Sequence, residues 1–158
     1  MNKYPLARML TVRELREDQA LRLLRTRMGE LDDAIAFWEA KMAEAADCLQ
    51  SLLAKDREQM TLTVGVRLET GLARSMQREM QAWRYRLQMA EAAVAEAAVE
   101  VEKAQVACDK ARTVYQTRMK DKQKIVSHKD IWMTEAKKEA EAAEERELED
   151  RTRPKQVS

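Results

Sequence analysis

Apolar residues recur along this chain in two long trains of alternating three- and four-residue steps. The first is Leu24, Met28, Leu31, Ile35, Trp38, Met42, Ala45, Leu49, Leu52. The second is Met76, Met80, Trp83, Leu87, Ala90, Val94, Ala97, Val101, Ala104, Cys108, Ala111, Tyr115. A mean step of 3.5 holds one narrow apolar stripe on one side of an α-helix, which is the seam of a coiled coil. Between the trains, residues 61–71 hold two of the three glycines and a cluster of β-branched residues, which lower helix propensity. Leu62, Val64, Val66 and Leu68 alternate as in a strand, but a lone strand has nothing to pair with, so a compact loop is expected. Pro5 suits the first position of a helix, with its fixed φ and no donor to lose. The pattern predicts an all-α fold, with two long helices forming an antiparallel coiled-coil hairpin. Helix 1 takes residues 1–60, a tip loop 61–72 and helix 2 residues 73–133. Residues 134–158 read as a charged helical extension and frayed tail.

A short connection makes antiparallel neighbours. With the tip centred near residue 66, facing positions add to about 133, and Tyr4-Pro5-Leu6 falls beside residues 127–129. Past Tyr115 the same step gives Arg118, Lys122, Ile125, Lys129 and Trp132. Charge enters the stripe there, so packing is expected to loosen or to meet a third partner.

Composition narrows the function. In 158 residues, 36% are charged and only 4% aromatic, so burial is one seam wide rather than a thick core. The net charge of +1 hides blocks. Residues 1–27 carry +4, 28–56 −5, 91–109 −4, 110–130 +5 and 135–150 −5. The register brings both basic blocks to one end. The single histidine, with no Gly-rich phosphate loop and no CxxC or HExxH motif, argues against an enzyme, a metal site and a cofactor. Cys108 falls on the second seam and Cys48 beside the first, and the register holds them too far apart for a disulfide. No apolar run approaches the roughly 20 residues of a membrane span and nothing reads as a signal peptide, so a cytosolic protein is expected. Glu14, Glu17 and Asp18 interrupt the N-terminal arginines, leaving no coherent stripe for nucleic acid.

Two clusters stand out as interface candidates or, on the plainer reading, ordinary helix surface. One is Trp132, flanked by Ile131 and Met133, where the seam has become charged. The other is Arg84, Tyr85 and Arg86, beside the seam residue Trp83. Exposed Trp, Tyr and Arg are residue types that interfaces favour.

Two terminal segments carry a family resemblance. Tyr4-Pro5-Leu6, Leu10 and Val12-Arg13-Glu14-Leu15-Arg16-Glu17-Asp18-Gln19-Ala20 form the first, and His128-Lys129-Asp130-Ile131-Trp132-Met133-Thr134-Glu135-Ala136 the second. Together with the two-helix layout they resemble the YscO/SctO family of type III secretion, similar in architecture to the flagellar protein FliJ. The resemblance implies a non-enzymatic cytosolic stalk, monomeric when free, that couples and stimulates a hexameric secretion ATPase and contacts the export gate. It carries no catalytic residue, cofactor or metal. The ATPase-facing residues it implies are Tyr4, Pro5, Leu6, Arg8, Leu10, Arg13, Arg16, His128, Lys129, Trp132 and Met133. The gate-facing end would lie nearer the tip, where Arg84, Tyr85 and Arg86 are the candidates. Some family members bind escort chaperones, so the alternative is an escort that holds export chaperones or substrates beside the hairpin.

Overall fold

The computed structural model describes residues 3–155, and every regular element among them is helical. Helix α1 runs Ala7–Thr63 and helix α2 runs Thr70–Thr152, and the two pack against each other as a helical hairpin. Pro5 does not open α1 but lies in a turn ahead of it. Ala7 N donates to Tyr4 O across that turn (3.2 Å), and Leu10 N donates to Leu6 O to start the α-helical ladder (3.0 Å).

The helices enter the predicted loop from both sides and leave only 64–69 between them. Thr61 and Thr63 return their hydroxyls to the carbonyls of Arg57 and Gln59 (both 2.8 Å), which lets β-branched residues stay helical. Gly65 then stops α1 with φ of 75°, a left-handed conformation that a side chain would strain. The residues from Val66 to Glu69 form no strand. Beyond residue 134, α2 continues as the expected helical extension to Thr152. Its Ala, Glu and Lys content is enough to sustain helix there, and Pro154 follows the end, where no helix can continue.

Two compact units divide the chain, one from α1 up to Leu24 with α2 from Ala111, the other spanning Arg25–Lys110. In the first, Tyr4 meets His128, Arg13 Nη1 lies 3.0 Å from Asp121, and Lys122 Nζ lies 3.0 Å from Glu17. In the second, Lys55 Nζ bridges to Glu79 (3.4 Å) and Gln59 Nε2 donates to Met76 O (3.4 Å). The positions in these pairs add to between 132 and 139, against the value of about 133 expected of a short antiparallel connection.

The seam of α2 follows its predicted positions from Met76 to Tyr115 and carries on through Arg118, Lys122, Ile125, Lys129 and Trp132, each buried or half-buried. Where charge enters, Lys122 pairs across the seam with Glu17, and Arg13 pairs with Asp121 beside it. The seam of α1 is a correction. Met28, Met42 and Leu49 are 44%, 37% and 44% exposed, and the half-buried positions are Arg27, Lys41 and Cys48, one residue earlier. A 3.5 period is satisfied by either choice. Long Arg and Lys stems cover apolar surface while their heads reach water, and here the heads pair with Glu30 (2.8 Å) and Glu44 (3.2 Å).

The most buried residues are small. Ala97 is 2% exposed and Cys108 1%, and Ala20 and Ala111 are also buried. The register sets Ala97 opposite the bulky Trp38, and a small residue facing a large one lets the helices approach. Both cysteines are free.

Two outcomes follow from this packing. Ala97→Leu inserts side chain where no space exists and should cost roughly 1–3 kcal/mol, read as a lower urea midpoint by circular dichroism. Met28→Ala, on the exposed flank, should stay within about 1 kcal/mol of the parent. A third outcome concerns pH. The charge of Glu58, followed by its hydrogen bond and that of Glu79, raises Lys55 above its ordinary 10.5. The hydrogen bond and charge of Glu17 raise Lys122 likewise. A cation raised on folding stabilises fully below its unfolded pKa and loses that contribution as pH climbs through the folded value. The thermal midpoint should therefore fall above about pH 10.5, and less steeply in the Lys55→Met/Lys122→Met double variant.

Candidate functional site

The first unit gathers the terminal candidates. Tyr4, in the turn ahead of α1, is 8% exposed. Its hydroxyl lies 2.7 Å from His128 Nδ1, donating when that nitrogen is bare. Its ring meets Trp132 edge-on at 5.5 Å between centroids and His128 at 5.8 Å. Edge-to-face packing of this kind adds about 0.5–1.5 kcal/mol beyond area burial. The three residues form a clasp that fixes the start of α1 on α2. Tyr4 is therefore enclosed by its own chain, and Trp132 is half-buried against it rather than free.

The other terminal candidates separate by exposure. Pro5, Arg8, Arg16, His128 and Met133 are exposed. Leu6, Leu10, Arg13 and Lys129 are half-buried, and Arg13 is held by Asp121. Arg8, Met9, Val12, Arg13 and Arg16 line a shallow hollow. Residues 3–24 and 111–133 together hold eleven basic and five acidic side chains, a net +6. This surface is cationic with apolar spots, suited to an anionic protein face under electrostatic steering.

In the second unit, Arg86 is exposed and held against its own helix. Its guanidinium lies over the Trp83 ring at 4.7 Å, a cation–π contact that ties it to its own helix. Tyr85 is 62% exposed. Arg84 lines a hollow with Asp56, Met60, Met76 and Met80 that reaches the loop.

The loop itself is more apolar at its surface than any of these candidates. Met60, Leu62, Val64, Val66, Leu68 and Leu72 are 38–76% exposed. A pocket of about 320 Å³ beneath them is lined by Leu62, Val66, Leu68, Leu72 and Met76, with Lys55 and Glu79 at its edge. Clustered apolar exposure on this scale marks an interaction surface. The sequence signal was the alternation Leu62, Val64, Val66, Leu68, which described a loop without revealing that its apolar members face water. Among the described residues no cluster of His, Cys, Asp or Glu could hold a metal ion, and no helix is long and apolar enough to cross a membrane.

Comparison with known proteins agrees with this geometry. The YscO-like protein family matches residues 1–151. The solved structure of CT670 from Chlamydia trachomatis, described as a YscO homolog, superposes with a TM-score of 0.81 at 23% identity, covering 95% of this chain and 92% of that one. At that identity the likeness speaks for the fold. No curated protein matches the chain. The family match spans both terminal segments and both helices, and the chain therefore belongs to the YscO-like family, the stalk-related proteins of type III secretion.

Proposed function

We propose that this protein is a non-enzymatic cytosolic stalk, monomeric when free, that couples and stimulates a hexameric type III secretion ATPase at one end and contacts the export gate at the other. The observation that carries the ATPase half is the first unit's excess of positive charge over residues 3–24 and 111–133, eleven basic residues against five acidic ones, on the two helices that the aromatic clasp joins. In this reading Tyr4 and Trp132 act by holding the end rigid. Pro5, Arg8, Arg16, His128 and Met133 offer the contact surface, with Leu6, Leu10, Arg13 and Lys129 behind them. A symmetric ring cannot match an asymmetric stalk at every subunit, so contact spread over many charges fits better than one deep dock. The gate half is supported by the exposed apolar loop, with Tyr85 and Arg84 on the flank below it.

The first test is ATP turnover by the secretion ATPase hexamer with the purified full chain added. Turnover should rise. Arg16→Ala alone should change stimulation by less than about fivefold, since one exposed charge contributes on the order of 1 kcal/mol or less. Arg8→Glu/Arg16→Glu should abolish most of it while helicity is unchanged. Absence of stimulation and of co-assembly would contradict the proposal, and binding of export chaperones without stimulation would favour an escort role.

The second test separates the two ends. Leu62→Ser/Val66→Ser/Leu68→Ser should lose capture of the export gate's cytosolic domain yet still stimulate the ATPase. Equal loss of both would contradict the division of labour.

A further inference from the structure

Away from both ends, the second unit holds the chain's single phenylalanine in an exposed position. Phe37 is 56% exposed on the flank of α1, off the seam that buries Leu31, Trp38 and Ala45. Apolar burial cannot explain a phenylalanine there. It forms one wall of a groove of about 560 Å³ whose other lining is Lys41, Ala93, Glu96, Ala97, Val99 and Glu100. Half-buried Ala93 leaves the floor shallow, Ala97, 2% exposed, closes it from below, and Val99, 48% exposed, continues the apolar surface outward. A second hollow runs on from Val99 to Val106 with Glu102 on its edge.

The surroundings are strongly acidic. Residues 28–47 and 87–109 contain eleven acidic side chains and only two basic ones, Lys41 and Lys103. Each lysine is already engaged within its own helix. Lys41 pairs with Glu44 at 3.2 Å and stands over the Phe37 ring at 5.2 Å, and Lys103 pairs with Glu100 at 3.2 Å. Glu96, at the groove's rim, has no salt bridge among the described residues. Apolar floor and anionic rim together select a ligand whose own apolar stripe is flanked by cations.

We infer that the Phe37 groove is a docking site for a basic amphipathic helix of a partner protein. The helix sets one or two apolar side chains between Phe37 and Val99, over Ala93, and its lysines or arginines meet Glu96, Glu100 and Glu102. This is helix-in-groove recognition, with Phe37 as the aromatic anchor of the kind that dominates binding energy. The site is separate from the terminal and loop surfaces of the proposed stalk function and does not depend on them.

The test uses the full chain and a fluorescein-labelled 21-residue helical peptide of Leu/Lys heptads, followed by anisotropy. Binding is expected to weaken steeply with added salt. Phe37→Ala should weaken it about tenfold, with the circular dichroism spectrum unchanged because Phe37 is outside the seam. Glu96→Gln/Glu100→Gln should weaken it and flatten the salt dependence. Leu15→Ala, an exposed apolar change in the other unit, should leave it alone. Equal binding of oligolysine, or indifference to Phe37→Ala, would reduce the effect to general charge attraction and overturn the site. Concentration-dependent self-association lost in Phe37→Ala would assign the groove to a second copy and overturn it as well.

Discussion

Everything in this protein depends on two helices meeting along a seam only one residue wide. Such a seam cannot bury large side chains on both sides at once, and its most enclosed members are accordingly Ala20, Ala97, Cys108 and Ala111. Small residues bring the backbones close, but each contributes little hydrophobic free energy. Stability is therefore distributed along the length rather than concentrated in a core. The specific polar contacts, Arg13 with Asp121, Glu17 with Lys122 and Lys55 with Glu79, add register more than strength, since partly exposed ion pairs contribute about 0–1 kcal/mol each.

The narrowness also decides where function can reside. With burial one seam deep among the described residues, the surfaces open to recognition are those where the two-helix pattern stops or leaves side chains uncovered. At the terminal end the pattern closes on Tyr4, His128 and Trp132, and cationic side chains surround that closure. At the loop the helices stop and six apolar residues face water. Membership of the YscO-like family gives these two ends a common setting in type III secretion, and the proposed stalk assigns them different partners. In the proposed stalk, the difference in their chemistry, cationic at one surface and apolar at the other, would let one chain address two proteins without confusing them.

Much of this was legible in the sequence because a period of 3.5 and a single glycine-bearing break determine both element type and pairing. The facing positions follow from where the break sits. The phase of the first seam was harder to read. Met28, Met42 and Leu49 satisfy the period as well as Arg27, Lys41 and Cys48 do, and hydrophobicity favours the former. The structure chooses the latter because basic stems can lie along the seam with their heads outside it. Phe37 lies off the stripe in either phase, beside Trp38, and nothing in the period marks it as an exposed aromatic. The terminal motif did not separate the inside from the outside. Tyr4 and Trp132 look like interface anchors in a list of residue types, and only the clasp with His128 shows that they face each other.

The division of the two ends is tested most directly by placing a photo-crosslinking amino acid at position 16 in one variant and at position 62 in another, then irradiating each with the ATPase hexamer. The account predicts an ATPase adduct from position 16 and none from position 62. An adduct from position 62 alone would contradict it.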